Sequence, residues 1–127
     1  MEFVKYIRVS YLNHKYYNYE DASSIIMCIL GRFLFSDVGS DISFYKEWLL
    51  DNKYNSAGGN ITELDRVGNY ILLTDACSEE DVPTRAKMTN AQFLKLLVDW
   101  EEKVCKLKPK EVTIIYDNDE FVFETKN

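Results

Sequence analysis

Hydrophobic and polar residues alternate from residue 2 to 12, with Phe3, Ile7, Val9 and Tyr11 on one face and Tyr6, Arg8 and Ser10 on the other. That period of two predicts a half-buried strand. Asn13 to Tyr19 reads as a polar and aromatic loop. Asn18 is suited to cap a helix whose first turn would hold Glu20 and Asp21 beside the positive end of its dipole. Ala22, Ile25, Ile26, Ile29, Leu30, Phe33 and Leu34 then recur at helical spacing as one continuous stripe, and Gly39 is placed to end the helix. A second helix is expected from Ser40 or Asp41 to near Asn52, burying Ile42, Tyr45, Trp48 and Leu49.

Tyr54 to Asn60 contains Ser56-Ala57-Gly58-Gly59 and reads as a flexible connection. Ile61–Val67 and Tyr70–Thr74 look like a hairpin turning at Gly68-Asn69, and Glu63, Asp65 and Arg66 make its first strand a candidate for an exposed edge. Cys77 to Lys87 is acidic, holds Pro83 and lacks periodicity, so a loop is expected, with room for a short extended stretch before Met88. Thr89-Asn90-Ala91-Gln92 has the spacing of a capping box, in which two orphan backbone donors are satisfied reciprocally. The third helix that follows buries Phe93, Leu96, Leu97, Trp100, Val104 and Leu107, and Pro109 bars its continuation. Beyond it, a turn at Asn118-Asp119 pairs Tyr116 with Phe121, Ile114 with Phe123 and Val112 with Thr125 on one face, leaving Ile115 and Val122 on the other.

The expected order is β-α-α-β-β-α-β-β, an α+β fold with helices packed on a mostly antiparallel sheet. At 46% hydrophobic and 28% charged, residues 1–127 fit one globular domain. A chain of this length buries roughly two-thirds of its unfolded surface, enough for a core without disulfide or metal. The longest apolar run, Ile25 to Leu30, falls far short of the roughly 20 residues that span a bilayer. No apolar h-region follows the N-terminus, and the cysteines at 28, 77 and 105 form no C-x-x-C pair. The expected location is therefore cytoplasmic, with reduced thiols.

Little in the sequence carries chemistry. His14 is the single histidine, which excludes a two-histidine metal site and leaves a dyad with one of the cysteines as the one nucleophilic arrangement of that type. No motif supports such a dyad. Asp117-Asn118-Asp119-Glu120 lacks the sixth-position Gly and twelfth-position Glu of a calcium-binding EF-hand, and Gly58-Gly59 is not followed by the Lys-Ser or Lys-Thr of a phosphate loop. The expectation is a protein that is not an enzyme and takes no cofactor or metal, and whose work is to bind another protein.

Charge narrows the partner. The net charge of -6 argues against binding nucleic acid through its phosphates, which needs clustered Lys and Arg, and makes a basic partner the better fit. Residues 61 to 127 hold 14 acids against 9 bases, while residues 1 to 60 are nearly balanced at 7 against 6. The acids concentrate in residues 63 to 81 and 111 to 124. Glu79, Glu80 and Asp81 in the loop and Asp117, Asp119 and Glu120 at the hairpin tip are the expected partner-binding acids, because loops and hairpin tips project from a scaffold. Asp99 instead has Lys95 and Lys103 at helical spacing to neutralise it. Tyr16, Tyr17 and Tyr19 are the second choice of anchor, since binding hot spots favour tyrosine.

The stretch Met88-Thr-Asn-Ala-Gln-Phe-Leu-Lys-Leu-Leu-Val-Asp-Trp-Glu101, followed by Lys106-Leu-Lys-Pro-Lys-Glu-Val-Thr-Ile-Ile-Tyr-Asp-Asn-Asp-Glu-Phe-Val-Phe-Glu124, resembles the C-terminal part of small bacterial immunity proteins. These are the CdiI-like partners of polymorphic and contact-dependent growth-inhibition toxins. In them a capped helix with a buried Trp leads through a Lys-Pro stop into a terminal hairpin. The resemblance covers roughly the last 40 residues. It implies an antitoxin that binds a cognate toxin C-terminal domain, often a nuclease, and blocks it. The competing readings are an acidic nucleic-acid mimic that inhibits DNA-binding proteins and a small thiol enzyme.

Overall fold

The computed structural model describes residues 6–12, 16–22, 25–39, 41–51, 53–58, 61–76 and 85–126, with backbone alone for 6–12, 16–22 and 25. Two four-stranded antiparallel sheets share one hydrophobic core with three helices. The first sheet has the order β2-β1-β7-β8 and uses β1 (Tyr6–Leu12), β2 (Tyr16–Ala22), β7 (Glu111–Asp117) and β8 (Glu120–Lys126). The second is a meander of β3 (Ser56–Gly58), β4 (Thr62–Val67), β5 (Tyr70–Asp75) and β6 (Arg85–Thr89). The α+β class stands, with strands β2 and β3 added to the expected order and the extended stretch before Met88 realised as β6.

Four expectations need correction. Residues 16–22 are a strand and not a loop running into a helix cap, because they pair in antiparallel register with β1, Tyr17 opposite Tyr11 and Tyr19 opposite Val9. Asn18, Glu20 and Asp21 lie within that strand, and α1 starts only at Ile25. Second, β4 is no edge, since the short β3 covers it, with Ser56 Oγ donating to Asp65 Oδ1 at 2.7 Å. Third, Arg66 turns in toward α2 (Ile42–Asp51). Its guanidinium lies 4.7 Å over the Trp48 ring and donates to the carbonyls of Trp48 and Leu49, at 2.7 and 3.0 Å. Those carbonyls lie near the C-terminal end of the helix. Fourth, Leu107 is 68% exposed, beyond the end of the buried stripe.

α1 (Ile25–Arg32) continues into a π-helical turn, Phe33–Val38, that Gly39 closes at φ 51° with its N–H on the Leu34 carbonyl. This helix touches β1 and β2 of one sheet and β5 and β6 of the other. Met27 is accordingly buried along with Ile29, Leu30, Phe33 and Leu34, wider coverage than one stripe, as a helix clasped by two sheets requires. Asp37 in the π-turn accepts from the N–H groups of Ile61 and Thr62 and from the Thr62 hydroxyl, tying the turn to the start of β4. Tyr45 packs edge-on against Phe33; burial, with Asp37 and Asp41 nearby, pushes its hydroxyl up to about 12, so it stays neutral.

α3 (Asn90–Trp100) opens with the predicted capping box: Gln92 N–H donates to Thr89 Oγ1 at 3.0 Å, and Thr89 N–H donates to Gln92 Oε1 at 2.8 Å. A second π-helical turn, Glu101–Cys105, extends it. The two π-turns meet at the carbonyl of Gly39, which accepts from Trp100 Nε1 at 2.8 Å and Cys105 Sγ at 3.3 Å. No described helix is long and apolar enough to cross a membrane.

Candidate partner-binding surface

The β7–β8 hairpin turns through Asn118 and Asp119, both at positive φ, 50° and 61°, which is the type I′ geometry that suits a right-twisted ribbon. Its register is the predicted one, with Tyr116 opposite Phe121, Ile114 opposite Phe123 and Val112 opposite Thr125. The tip is tied down. Gln92, already engaged in the capping box, uses its Nε2 to donate to the Asp119 carbonyl at 2.6 Å, while the Tyr116 hydroxyl donates to Asp119 Oδ1 at 3.2 Å. Burial, together with the Asp119 carboxylate, raises the pKa of that hydroxyl, so it remains a donor. Tyr116 also stands edge-on to Phe121, ring centroids 5.1 Å apart.

A second hairpin tip arrives at the same helix start. Gly68, at φ 60°, opens the turn between β4 and β5 as a type II′ turn requires, and Asn90 N–H donates to the Asn69 carbonyl at 3.0 Å. Tyr70, the register partner of Thr89, is 42% exposed with Lys87 Nζ 4.2 Å over its ring, and Val67 is 56% exposed. Both hairpin tips therefore reach the N-terminus of α3, the one flanked by Asp117 and Glu120 through Asp119 and the one flanked by Val67 and Tyr70 through Asn69. Val67 and Tyr70 were missed by sequence reasoning, although the period of two was a usable signal: Ile71 and Leu73 point into the core, so Tyr70 must point out.

Asp117, Asp119 and Glu120 are exposed, and among the described residues none of them forms an ion pair. Other acids are locally neutralised: Asp99 by Lys95 at 2.9 Å, Glu102 by Lys106 at 2.8 Å, Glu101 by Lys46 at 3.0 Å and Asp75 by Arg32 at 3.1 Å. Glu79, Glu80 and Asp81 lie outside the described residues. Tyr16, Tyr17 and Tyr19 are not brought to the acidic tip. They belong to β2, at the opposite edge of the sheet from β8, and Tyr16 pairs with Leu12 at the end of β1 remote from the tip.

Cys105, half-buried, has its pKa raised by burial and by Glu101, which disfavours the thiolate a nucleophile needs. His14 and Cys77 lie outside the described residues, and no described cluster of His, Cys, Asp and Glu could hold a metal. No family model, curated protein or solved structure matches the chain.

The double use of Gln92 gives a direct test of how the tip is held. Gln92→Ala removes one arm of the capping box and the bond to Asp119, and is expected to destabilise the fold by about 1 to 2 kcal/mol. Amide exchange should accelerate at Asn118 to Phe121 more than in the rest of β7 and β8. Equal acceleration throughout the hairpin would show that the tip is held by other means.

Proposed function

We propose that this chain is a cytoplasmic immunity protein that binds a cognate toxin C-terminal domain, a basic nuclease, and neutralises it by stoichiometric inhibition without turnover. The observation that carries the reading is the acidic tip: three exposed carboxylates that form no ion pair among the described residues, on a type I′ turn that Gln92 and Tyr116 hold through Asp119. A nuclease must present positive charge to bind phosphates, and a partner of opposite charge gains association rate and selectivity against it. Holding the turn before contact lowers the ordering cost of binding. Tyr70 supplies the rigid aromatic area from which interface hot spots are built.

Coexpression with the toxin domain encoded beside it should restore growth. The reading further expects that Cys28→Ser, Cys77→Ser, Cys105→Ser and His14→Ala each leave the rescue intact. Rescue lost in any of these variants with an unchanged circular dichroism spectrum would indicate a thiol or imidazole reaction in place of binding.

A further inference from the structure

The β3-β4-β5-β6 sheet buries one face against the helices. Leu64, Ile71, Leu73, Ala86 and Met88 point into the core, and the residues between them form the outer face. The register sorts those outer residues into three rows across β4, β5 and β6: Val67, Tyr70 and Thr89 in the first, Asp65, Leu72 and Lys87 in the second, Glu63, Thr74 and Arg85 in the third. Two rows repeat one order, an acid on β4, an uncharged residue on β5 and a base on β6. Glu63, Arg85 and Lys87 are exposed and Asp65 is half-buried, and among the described residues none of the four forms an ion pair. Acid and base of one row stand two strands apart, about 10 Å, too far to pair within the chain. Lys87 Nζ lies 4.2 Å over the Tyr70 ring, and Asp65 accepts one bond from Ser56 Oγ, of the roughly four that a carboxylate can take.

A row ordered in this way is complementary to its own image. Two sheets stacked face to face keep their strands within about 30° of one another. A two-fold axis between the sheets and along β5 sets β5 against β5, and β4 of each copy against β6 of the other. Every row then meets itself: Asp65 faces Lys87 twice, Glu63 faces Arg85 twice, Val67 faces Thr89 twice, and Leu72 and Tyr70 meet their counterparts along the middle. An axis across the strands instead opposes β4 to β4 and β6 to β6, with like charges facing each other. Charge therefore selects the first arrangement. The face measures about 20 Å by 20 Å from strand spacing and rise, roughly 400 Å² per copy. That is about half of what a stable pair buries on each partner, so the association is weak and concentration-dependent.

We infer that the outer face of the β3-β4-β5-β6 sheet is a self-association surface, covered by a second copy of this chain with β4 of each copy facing β6 of the other. The acidic tip belongs to the other sheet and stays outside it. Tyr70 lies within it, so a toxin held through Tyr70 competes with the second copy. This goes beyond the proposed function and is measured on the full chain without any toxin, so its failure leaves that reading untouched. Sedimentation from micromolar to millimolar protein should show a reversible monomer–dimer equilibrium that weakens with salt. Glu63→Lys and Arg85→Glu each put like charges face to face at two places, and each should weaken the dimer on the order of tenfold. They change the net charge in opposite directions, so a general charge effect would move them apart. Mixed in equal amounts, the two variants again oppose unlike charges and should associate as tightly as the parent. A chain that sediments as a monomer throughout, variants that associate as well as the parent or shift in opposite directions, or a mixture no tighter than either variant alone would overturn the inference.

Discussion

Replacing Trp100 with alanine is expected to destabilise the protein by about 3 to 5 kcal/mol. The indole is 1% exposed, at the end of α3 where the helix passes into its π-helical turn, so its removal opens a cavity that rigid elements on several sides prevent from collapsing. It also removes the 2.8 Å bond to the Gly39 carbonyl and leaves only the weaker Cys105 thiol on that acceptor. The join between the two π-turns, and with it the docking of α3 against the end of α1, should loosen. Urea denaturation should show a lower midpoint with an unchanged slope. A change of a few tenths of a kcal/mol would mean that Trp100 is not part of the core.

The second large effect concerns binding. Reversing Asp117, Asp119 and Glu120 to lysine is expected to cost about 2 to 5 kcal/mol of toxin affinity, roughly 30-fold to several thousandfold. Rim charges act mainly on association, so the salt dependence of the association rate should weaken, while any carboxylate desolvated against Arg or Lys should appear as faster dissociation. The fold should survive, since all three side chains are exposed and the type I′ turn is held through the Asp119 carbonyl as well as its side chain. Affinity and salt slope equal to those of the parent would reduce the acidic tip to a solubilising feature.

What was legible in the sequence was local. The capping box needs residues three apart, and the terminal hairpin register follows once a two-residue turn is placed at Asn118-Asp119. α2 was legible too, because Ile42, Tyr45, Trp48 and Leu49 recur on one helical face. β2 was not, since Asn18, Glu20 and Asp21 imitate a helix start and only pairing with β1 makes the segment a strand. β3 has no strand propensity of its own in Ser-Ala-Gly and exists because β4 offers it an edge. The two π-turns carry no residue pattern that distinguishes them from ordinary helix.

The candidate surface divides in the same way. The acids at 117, 119 and 120 were visible as an uncompensated run, whereas Gln92 showed only its capping role. Its second bond, to a carbonyl 27 positions away, depends on the hairpin tip folding back onto α3. Arg66 was misread for a related reason, because the carbonyls it satisfies lie 17 and 18 positions earlier, on α2.

The central claim, inhibition by stoichiometric binding, is tested most directly by titrating the purified chain into the neighbouring toxin domain and following the toxin's nuclease activity. Activity should fall linearly and vanish at equimolar protein, with both chains recovered intact from the complex. Loss of activity at a small fraction of equimolar protein, or none at excess, would contradict it.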